Sequence, residues 1–307
     1  MTAILATLFV CQGPAHPATS IAAAIAATFD SKARSKAMLP YDSPDRRRWG
    51  RSPSERPGVM LSALTAEQRS QVDRLVRTVL SETGFATLAG IRAEQDILGR
   101  EESGLGADWY WFAIYGEPGR GAWAWRLGGH HVSIHATFSG DALRSVVPLH
   151  FGGEVGPGAA KDWKGYARLE KRGALARRLV LSLSGEQRST ARIPGDERFF
   201  LSMSEPQVKP HAKPSQGLAI TNLEHKVHED VAAIVREYLS AFQQTAANQL
   251  MNAWHENGDE AHIAFYGSPE GDEPFYFRLQ TQDFLIESSD TGKHLHTIVR
   301  TASDFGG

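Results

Sequence analysis

The second half of this 307-residue chain resembles the first half, and this internal similarity constrains the fold more than any other sequence feature. The segment 112–118 matches 263–269, and 123–127 matches 275–279 after a one-residue slip. Further matches follow in the same order in both halves: 58–64 with 217–223, 132–134 with 284–286, and 143–147 with 295–299. The series predicts a tandem duplication. The alternative is that separate β-hairpins converged on similar turns.

The predicted boundaries divide the chain into a terminal segment at 1–19, repeat 1 at 20–153, a connector at 154–169 and repeat 2 at 170–307. Each repeat has the pattern of a helix, a proline-rich loop, one long helix and three strands. In repeat 1 the long helix begins at a capping-box sequence, Thr65–Gln68. We therefore expect an α+β fold in which antiparallel hairpins of two similar units meet around a pseudo-twofold axis, with helices packed outside.

Composition narrows the possible partners. The net charge of −2 gives no basic surface for nucleic acid. The single cysteine, Cys11, excludes an internal disulfide framework and a thiolate metal cage. The apolar stretch Ala3–Val10 is too short to span a membrane and lacks a basic region before it. We interpret 1–19 as a terminal segment or a degraded export signal, and export is slightly favoured over the cytoplasm.

The two repeats differ most clearly at histidines. His130 and His131 align with Gln282 and Asp283, whereas the pair at 294 and 296 aligns with Ala142 and Arg144. A duplicated scaffold that has become asymmetric at its imidazoles indicates where function resides.

The pair His294 and His296 is predicted to lie on one side of a strand, because alternate residues of a strand share a face. If the preceding turn centres on Thr291–Gly292, antiparallel pairing places Glu287 beside His296. Adjacent histidines on a strand point to opposite faces, so we expect one of His130 and His131 to join this group, and favour His131.

These residues carry a resemblance to a known family. The motifs are Trp125–Ser133 with its His130–His131 pair, Phe284–Glu287, His294–His296 and Asp304–Gly306. In these motifs the chain resembles the bacterial family catalogued as domain of unknown function 3500. The chain departs from the family pattern in its short loop Ser288–Lys293 and in Ile298, where tryptophan is common. The resemblance implies no function, but the family pattern includes the same histidines and glutamate.

The leading hypothesis is a metal-dependent enzyme, oxidative or hydrolytic, with its site between the repeats and a small molecule as substrate. The expected ligands of a first-row ion (Fe, Cu, Zn or Mn) are His131, His294, His296 and Glu287, with His130 as a further ligand or a hydrogen-bonding neighbour. Glu287 and Arg126 are the candidate catalytic residues. Arg126 would either bind an anionic substrate or have a structural role, pairing with a carboxylate.

The competing hypothesis is a non-catalytic protein that binds a small ligand in an aromatic groove lined by polar histidines. A cross-strand Glu–His pair is also common as a structural contact. Trp109, Trp111, Trp123 and Trp125 are predicted to share one face of the first hairpin and to lie in the core beneath the helices, with a ligand-stacking wall as the alternative. His135 and His150 are interpreted as ordinary structural residues.

Overall fold

The computed structural model describes residues 15–50, 52–156, 163–194, 216–221 and 223–306. Parts of the predicted segments fall outside these ranges, including residues 195–215 of repeat 2. Residues 1–14 of the terminal segment, with Cys11, are not among the described residues, and neither are residues 157–162 of the connector. The expectation of an export signal therefore stays a prediction.

The described residues form eight α-helices: α1 (Pro17–Thr28), α2 (Ser31–Ala37), α3 (Ala66–Val76), α4 (Glu82–Leu98), α5 (Lys164–Ser182), α6 (Gly185–Ala191), α7 (His225–Leu239) and α8 (Gln244–Asn257). None of these helices combines the length and apolarity needed to cross a bilayer.

The predicted capping box is confirmed, because Thr65 and Gln68 each bond the other's backbone N–H. The single long helix expected after it is wrong. Ser81 caps a new helix, α4, and so divides the segment into two helices.

Twelve strands of the described chain form one sheet: β1 (Met38–Leu39), β2 (Val59–Met60), β3 (Tyr110–Glu117), β4 (Arg120–Gly129), β5 (Val132–Ser139), β6 (Ala142–Ser145), β7 (Leu149–Glu154), β8 (Leu218–Ala219), β9 (His262–Gly267), β10 (Phe275–Gln280), β11 (Phe284–Asp290) and β12 (His294–Thr301). Their order is β1-β3-β4-β5-β7-β12-β11-β10-β9-β8, with β2 on β3 and β6 on β5. Helices and this mixed sheet together confirm the α+β class.

The sheet places the two halves side by side. The antiparallel pair β7–β12 joins them, and on each side the strands run outward in reverse chain order. Aligned residues also make matching contacts, since Val59 pairs with Phe112 as Leu218 pairs with Ile263. The same holds for two parallel contacts, Met38–Ile114 and Arg192–Phe265. This agreement is what a duplication predicts. The duplication and its pseudo-twofold axis stay predictions, which superposition of 20–153 on 170–307 tests.

The two faces of the sheet differ in polarity. One face packs against α4 and α5 and forms the main apolar core. Trp123 and Trp125 lie in this core, fully buried, as predicted. The prediction is wrong for Trp109, which is 41% exposed, and for Trp111, which pairs with Gly128 and lies outside this core. The opposite face carries the alternate residues of the same strands, many of them polar, and is here called the polar face. A covering loop (40–50 and 52–57) and the C-terminal turn at Asp304–Gly306 pack on part of this face.

The return strand of repeat 1 differs from its predicted form. One strand was expected from Ala142 to Leu149, but β6 ends at Ser145 and a separate strand, β7, begins at Leu149. Pro148 lies between them and has no N–H to donate to a ladder. The consequence is important for function, because β7 inserts between β5 and β12 and contributes its own side chains to the polar face.

The predicted register of the second hairpin is also wrong. Ser289 pairs with His296, and Glu287 pairs with Ile298, so the register is shifted by two residues from the expected one. The turn tightens around Gly292, where φ is +83° and the backbone N–H bonds the Asp290 carboxylate. A register shift of two residues keeps every side chain on its predicted face of the sheet. It places Glu287 opposite Ile298, two residues beyond His296 on β12.

Candidate metal centre

The candidate site lies on the polar face where the two halves meet. Strand β12 contributes His294 and His296, and the antiparallel β7 places Glu154 opposite His294 and Gly152 opposite His296. The third contributor is the turn between β4 and β5, which brings His131 over β7. Because β7 belongs to the first half and β12 to the second, the site requires both halves.

The pair on β12 has the geometry that the sequence predicts. His294 and His296 lie on the same side of the strand, with their ring centroids 4.5 Å apart. His296 is buried, whereas His294 at the beginning of the strand is half-buried. The imidazole of His296 is therefore covered by protein, whereas that of His294, at the end of the strand, is partly open to solvent.

His130 and His131 do not lie on a strand, as was expected, but form the two-residue turn between Gly129 and Val132. His131 has a φ of 61°, in the left-handed region that such turns demand. The two rings therefore stack with centroids 3.7 Å apart instead of pointing to opposite faces. The expectation that their faces would differ is wrong, because the alternation of a strand does not continue through a turn.

Gly152 makes room for His131 on the surface of the sheet. A Cβ atom at Gly152 would lie 3.0 Å from Cδ2 of His131, closer than such atoms normally approach. The backbone of Gly152 also fixes the turn, since its N–H donates to the carbonyl of His131 at 2.7 Å. The absence of a side chain at this one position lets the imidazole pack closely against β7 and reach His294 on β12.

Three imidazoles converge as a result. His131, His294 and His296, here called the histidine triad, each offer a ring nitrogen, and these nitrogens all lie within 4.8 Å of one another. Nε2 of His131 and Nε2 of His294 lie 2.6 Å apart. A second donor set of the same kind consists of His130, His131 and Glu154, so His131 belongs to both.

The electrostatics of the site favour neutral imidazoles. Burial lowers the pKa of His131 well below its ordinary value, and the neighbouring histidines lower it further. Burial likewise lowers the pKa of His130 to about 4, with smaller contributions from His294 and Arg56. A neutral imidazole keeps a lone pair for a metal ion, whereas a protonated one has none.

Two further residues of the site were not predicted. His150, interpreted from the sequence as ordinary, is fully buried on β7 and its Nε2 lies 3.1 Å from Nδ1 of His296. Gln95 on α4 contacts both histidines of the turn. The alternate positions His150, Gly152 and Glu154 could have indicated strand β7. The predicted return strand ended at Leu149, so these residues were not assigned to a strand. Nothing in the sequence pointed to Gln95.

Glu287 is not brought to the triad. It is fully buried and accepts a hydrogen bond from Tyr276 Oη on β10 at 2.5 Å. Among the described residues, the donor sets that contain the triad histidines do not include it. Glu154 pairs with His294 in the β7–β12 register, and its carboxylate forms a donor set with His130 and His131. Burial raises the pKa of Glu154, and Glu102 raises it further.

The Arg126 side chain forms hydrogen bonds with the covering loop. Its Nη1 donates to the carbonyls of Asp45 and Arg48, and its Nη2 donates to that of Pro57, each at 2.7 Å. The side chain is almost fully buried and lies on β4 beside His135, whose Nε2 contacts Ser133 instead of the triad. Since its terminal nitrogens bond backbone carbonyls, a structural role for Arg126 agrees with its contacts better than the anion clamp.

The donor set fits a transition-metal ion. Imidazole nitrogens bind zinc at about 2.0–2.1 Å, so ligands of one tetrahedral ion lie roughly 3–3.5 Å apart. The nitrogens of the triad span a similar range, from 2.6 Å to at most 4.8 Å, so shifts of about an ångström in the side chains would centre them on one ion.

The chain was compared with known proteins. No curated protein and no solved structure matches it. The family model described as "Protein of unknown function (DUF3500)" matches residues 12–307, which confirms the resemblance inferred from the motifs. Because this match extends over nearly the whole sequence, the chain belongs to the DUF3500 family.

Proposed function

We propose that this protein binds one first-row transition-metal ion through His131, His294 and His296. The observation that carries the proposal is the convergence of three ring nitrogens within 4.8 Å, from elements far apart in the chain. A neutral imidazole can bind a metal ion through its unprotonated ring nitrogen. The lowered pKa of His131 supports the neutral form of this residue.

The chemistry of the donor set restricts the ion. Imidazole suits zinc, copper, iron and nickel, whereas calcium and magnesium prefer oxygen ligands. Glu154, opposite His294, would add one carboxylate oxygen to the three nitrogens. Of the ions expected from the sequence, three imidazoles favour Fe, Cu and Zn, whereas Mn prefers oxygen ligands and fits this donor set less well.

The site has the features of a catalytic centre more than of a structural one. Structural zinc sites are closed by four protein ligands, and catalytic sites keep one position for water or substrate. Here three imidazoles form the inner set. His294 of this set and the neighbouring His130 and Glu154 are half-buried, so the site opens toward solvent on that side. In a metal-dependent reaction, oxidative or hydrolytic, Glu154 would hold or accept a proton beside the ion. A small-molecule substrate is part of this proposal.

Metal analysis of purified protein tests the proposal. After supplementation and desalting, elemental analysis should find about one equivalent of a first-row metal in the wild type. The double variant His294→Ala/His296→Ala should lose that metal. The matched control is His225→Ala/His255→Ala, which removes two exposed helix histidines and should retain it. A wild type without stoichiometric metal, or equal content in both double variants, would reject the metal site.

A further inference from the structure

Gln95 connects the two histidines of the turn. It lies on α4 and is almost completely buried. Its Oε1 lies 2.6 Å from Nδ1 of His130, and its Nε2 lies 3.5 Å from Nδ1 of His131. One amide group therefore faces both imidazoles on the side away from the triad.

The amide imposes opposite tautomers on the two rings. A neutral imidazole has one N–H and one lone pair. Because Oε1 only accepts, His130 must donate from Nδ1. Because the amide nitrogen of Gln95 only donates, Nδ1 of His131 must accept, and the proton of His131 is then on Nε2. That N–H points to Nε2 of His294, 2.6 Å away, which completes a continuous hydrogen-bonded chain.

This chain opposes metal binding at His131. The proton on Nε2 occupies the position that an ion coordinated by the triad would need. Rotation of the Gln95 amide by 180° exchanges its oxygen and nitrogen with little change in shape. Nδ1 of His131 would then donate to the amide oxygen, which frees the lone pair of Nε2. Metal-bound histidines commonly donate their other N–H to an oxygen in this way.

We propose that Gln95 is a positioning residue that sets the tautomers of His130 and His131, and that metal binding at His131 is coupled to reversal of its amide. The first part concerns the metal-free protein and stands on the hydrogen bonds alone. The second part rests on the proposed metal-binding function. The two parts can therefore fail separately.

Nitrogen-15 NMR of the imidazole rings tests the first part. In metal-free protein at neutral pH, His131 should show a protonated Nε2 and an unprotonated Nδ1, and His130 the reverse. Addition of Zn²⁺ should move the proton of His131 to Nδ1. A metal-free His131 that is protonated at Nδ1 would overturn the tautomer assignment. Zinc binding without a change of tautomer would overturn the coupling.

Substitution of Gln95 supplies the second readout. Gln95→Leu removes the oxygen that His131 needs in the metal-bound state, so zinc affinity should fall by roughly 10–100-fold. Gln95→Glu retains an acceptor and should bind zinc at least as tightly as the wild type. The control is Thr87→Val, a buried residue of α4 that bonds only the backbone of its own helix. Wild-type affinity in Gln95→Leu would contradict the proposal. Absence of zinc binding in the wild type itself would instead remove the metal site, and the tautomers of the metal-free rings would still decide the first part.

Discussion

His131 and His294 are separated by 163 positions in the sequence, yet their Nε2 atoms lie 2.6 Å apart. The contact joins the β4–β5 turn of the first half to the first residue of β12 in the second half. Neither half alone contains both residues. The candidate metal centre is therefore a property of the assembled sheet, and variants that disturb the β7–β12 junction should affect it.

Gly152→Ala should weaken metal binding. The new Cβ would lie 3.0 Å from Cδ2 of His131 and would displace the ring from β7. We expect zinc affinity, measured by competition with a chromophoric chelator, to fall by roughly tenfold or more, as a misoriented ligand commonly causes. Gly185→Ala is the control, because a Cβ there meets nothing within 4 Å. Equal zinc affinity in the two variants would show that the position of His131 does not matter.

The two glutamates should respond differently. Glu154→Gln removes the carboxylate opposite His294 and should reduce zinc affinity. Glu287→Gln should leave the affinity unchanged, since its carboxylate bonds Tyr276 instead. It should instead lower the free energy of unfolding by about 1–2 kcal/mol, because a charge-assisted hydrogen bond becomes a neutral one. Urea denaturation and zinc titration of both variants measure the difference. Loss of zinc in Glu287→Gln alone would favour the ligand set expected from the sequence.

Arg126→Leu should cost stability without affecting metal content. Its guanidinium donates to three backbone carbonyls of the covering loop, and the variant leaves these acceptors without that donor. We expect a loss of roughly 3 kcal/mol or more in the free energy of unfolding. The control on the same strand is Arg120→Leu, an exposed residue paired with Glu117. A fully stable Arg126→Leu protein that has lost its bound metal would contradict this purely structural role.

Glu94 should make stability depend on pH near neutrality. The side chain is fully buried on α4, where Oε1 accepts from the backbone N–H of Tyr166, and burial raises its pKa to about 7. The folded state therefore binds more protons than the unfolded state between about pH 4.5 and 7, and stability from this group is lost as pH rises through that window. Glu94→Gln should match the wild type near pH 5 and exceed it by roughly 1–3 kcal/mol at pH 8. Equal urea midpoints at pH 8 would contradict the assignment.

The sequence predicted correctly those features that depend on alternation between neighbouring residues of one strand. The alternation of β5, β11 and β12 predicted which side chains share a face, including the pair His294 and His296. The alternation of β4 likewise predicted the burial of Trp123 and Trp125, whereas the same argument failed for Trp109, which precedes β3 and is exposed. These features depend on residues two apart, and so they survive an error in strand pairing.

The incorrect predictions concern features that tertiary contacts determine. The register of β11–β12 depends on how Gly292 and Asp290 close the turn, and the estimate was two residues off. The turn residues His130 and His131 are not the Asn, Asp or Gly typical of a two-residue hairpin turn, so the sequence reads as one continuous strand at this point. Gln95 enters the site through the packing of α4 against the sheet, which no local pattern encodes.

The most direct test of the metal centre is X-ray absorption spectroscopy of the zinc-loaded protein, combined with elemental analysis of the same sample. The structure predicts about one zinc per chain with three imidazole ligands at about 2.0–2.1 Å, and two or fewer imidazoles in His131→Ala. Zinc coordinated by oxygen alone, or an identical spectrum from His131→Ala, would contradict a centre built from His131, His294 and His296.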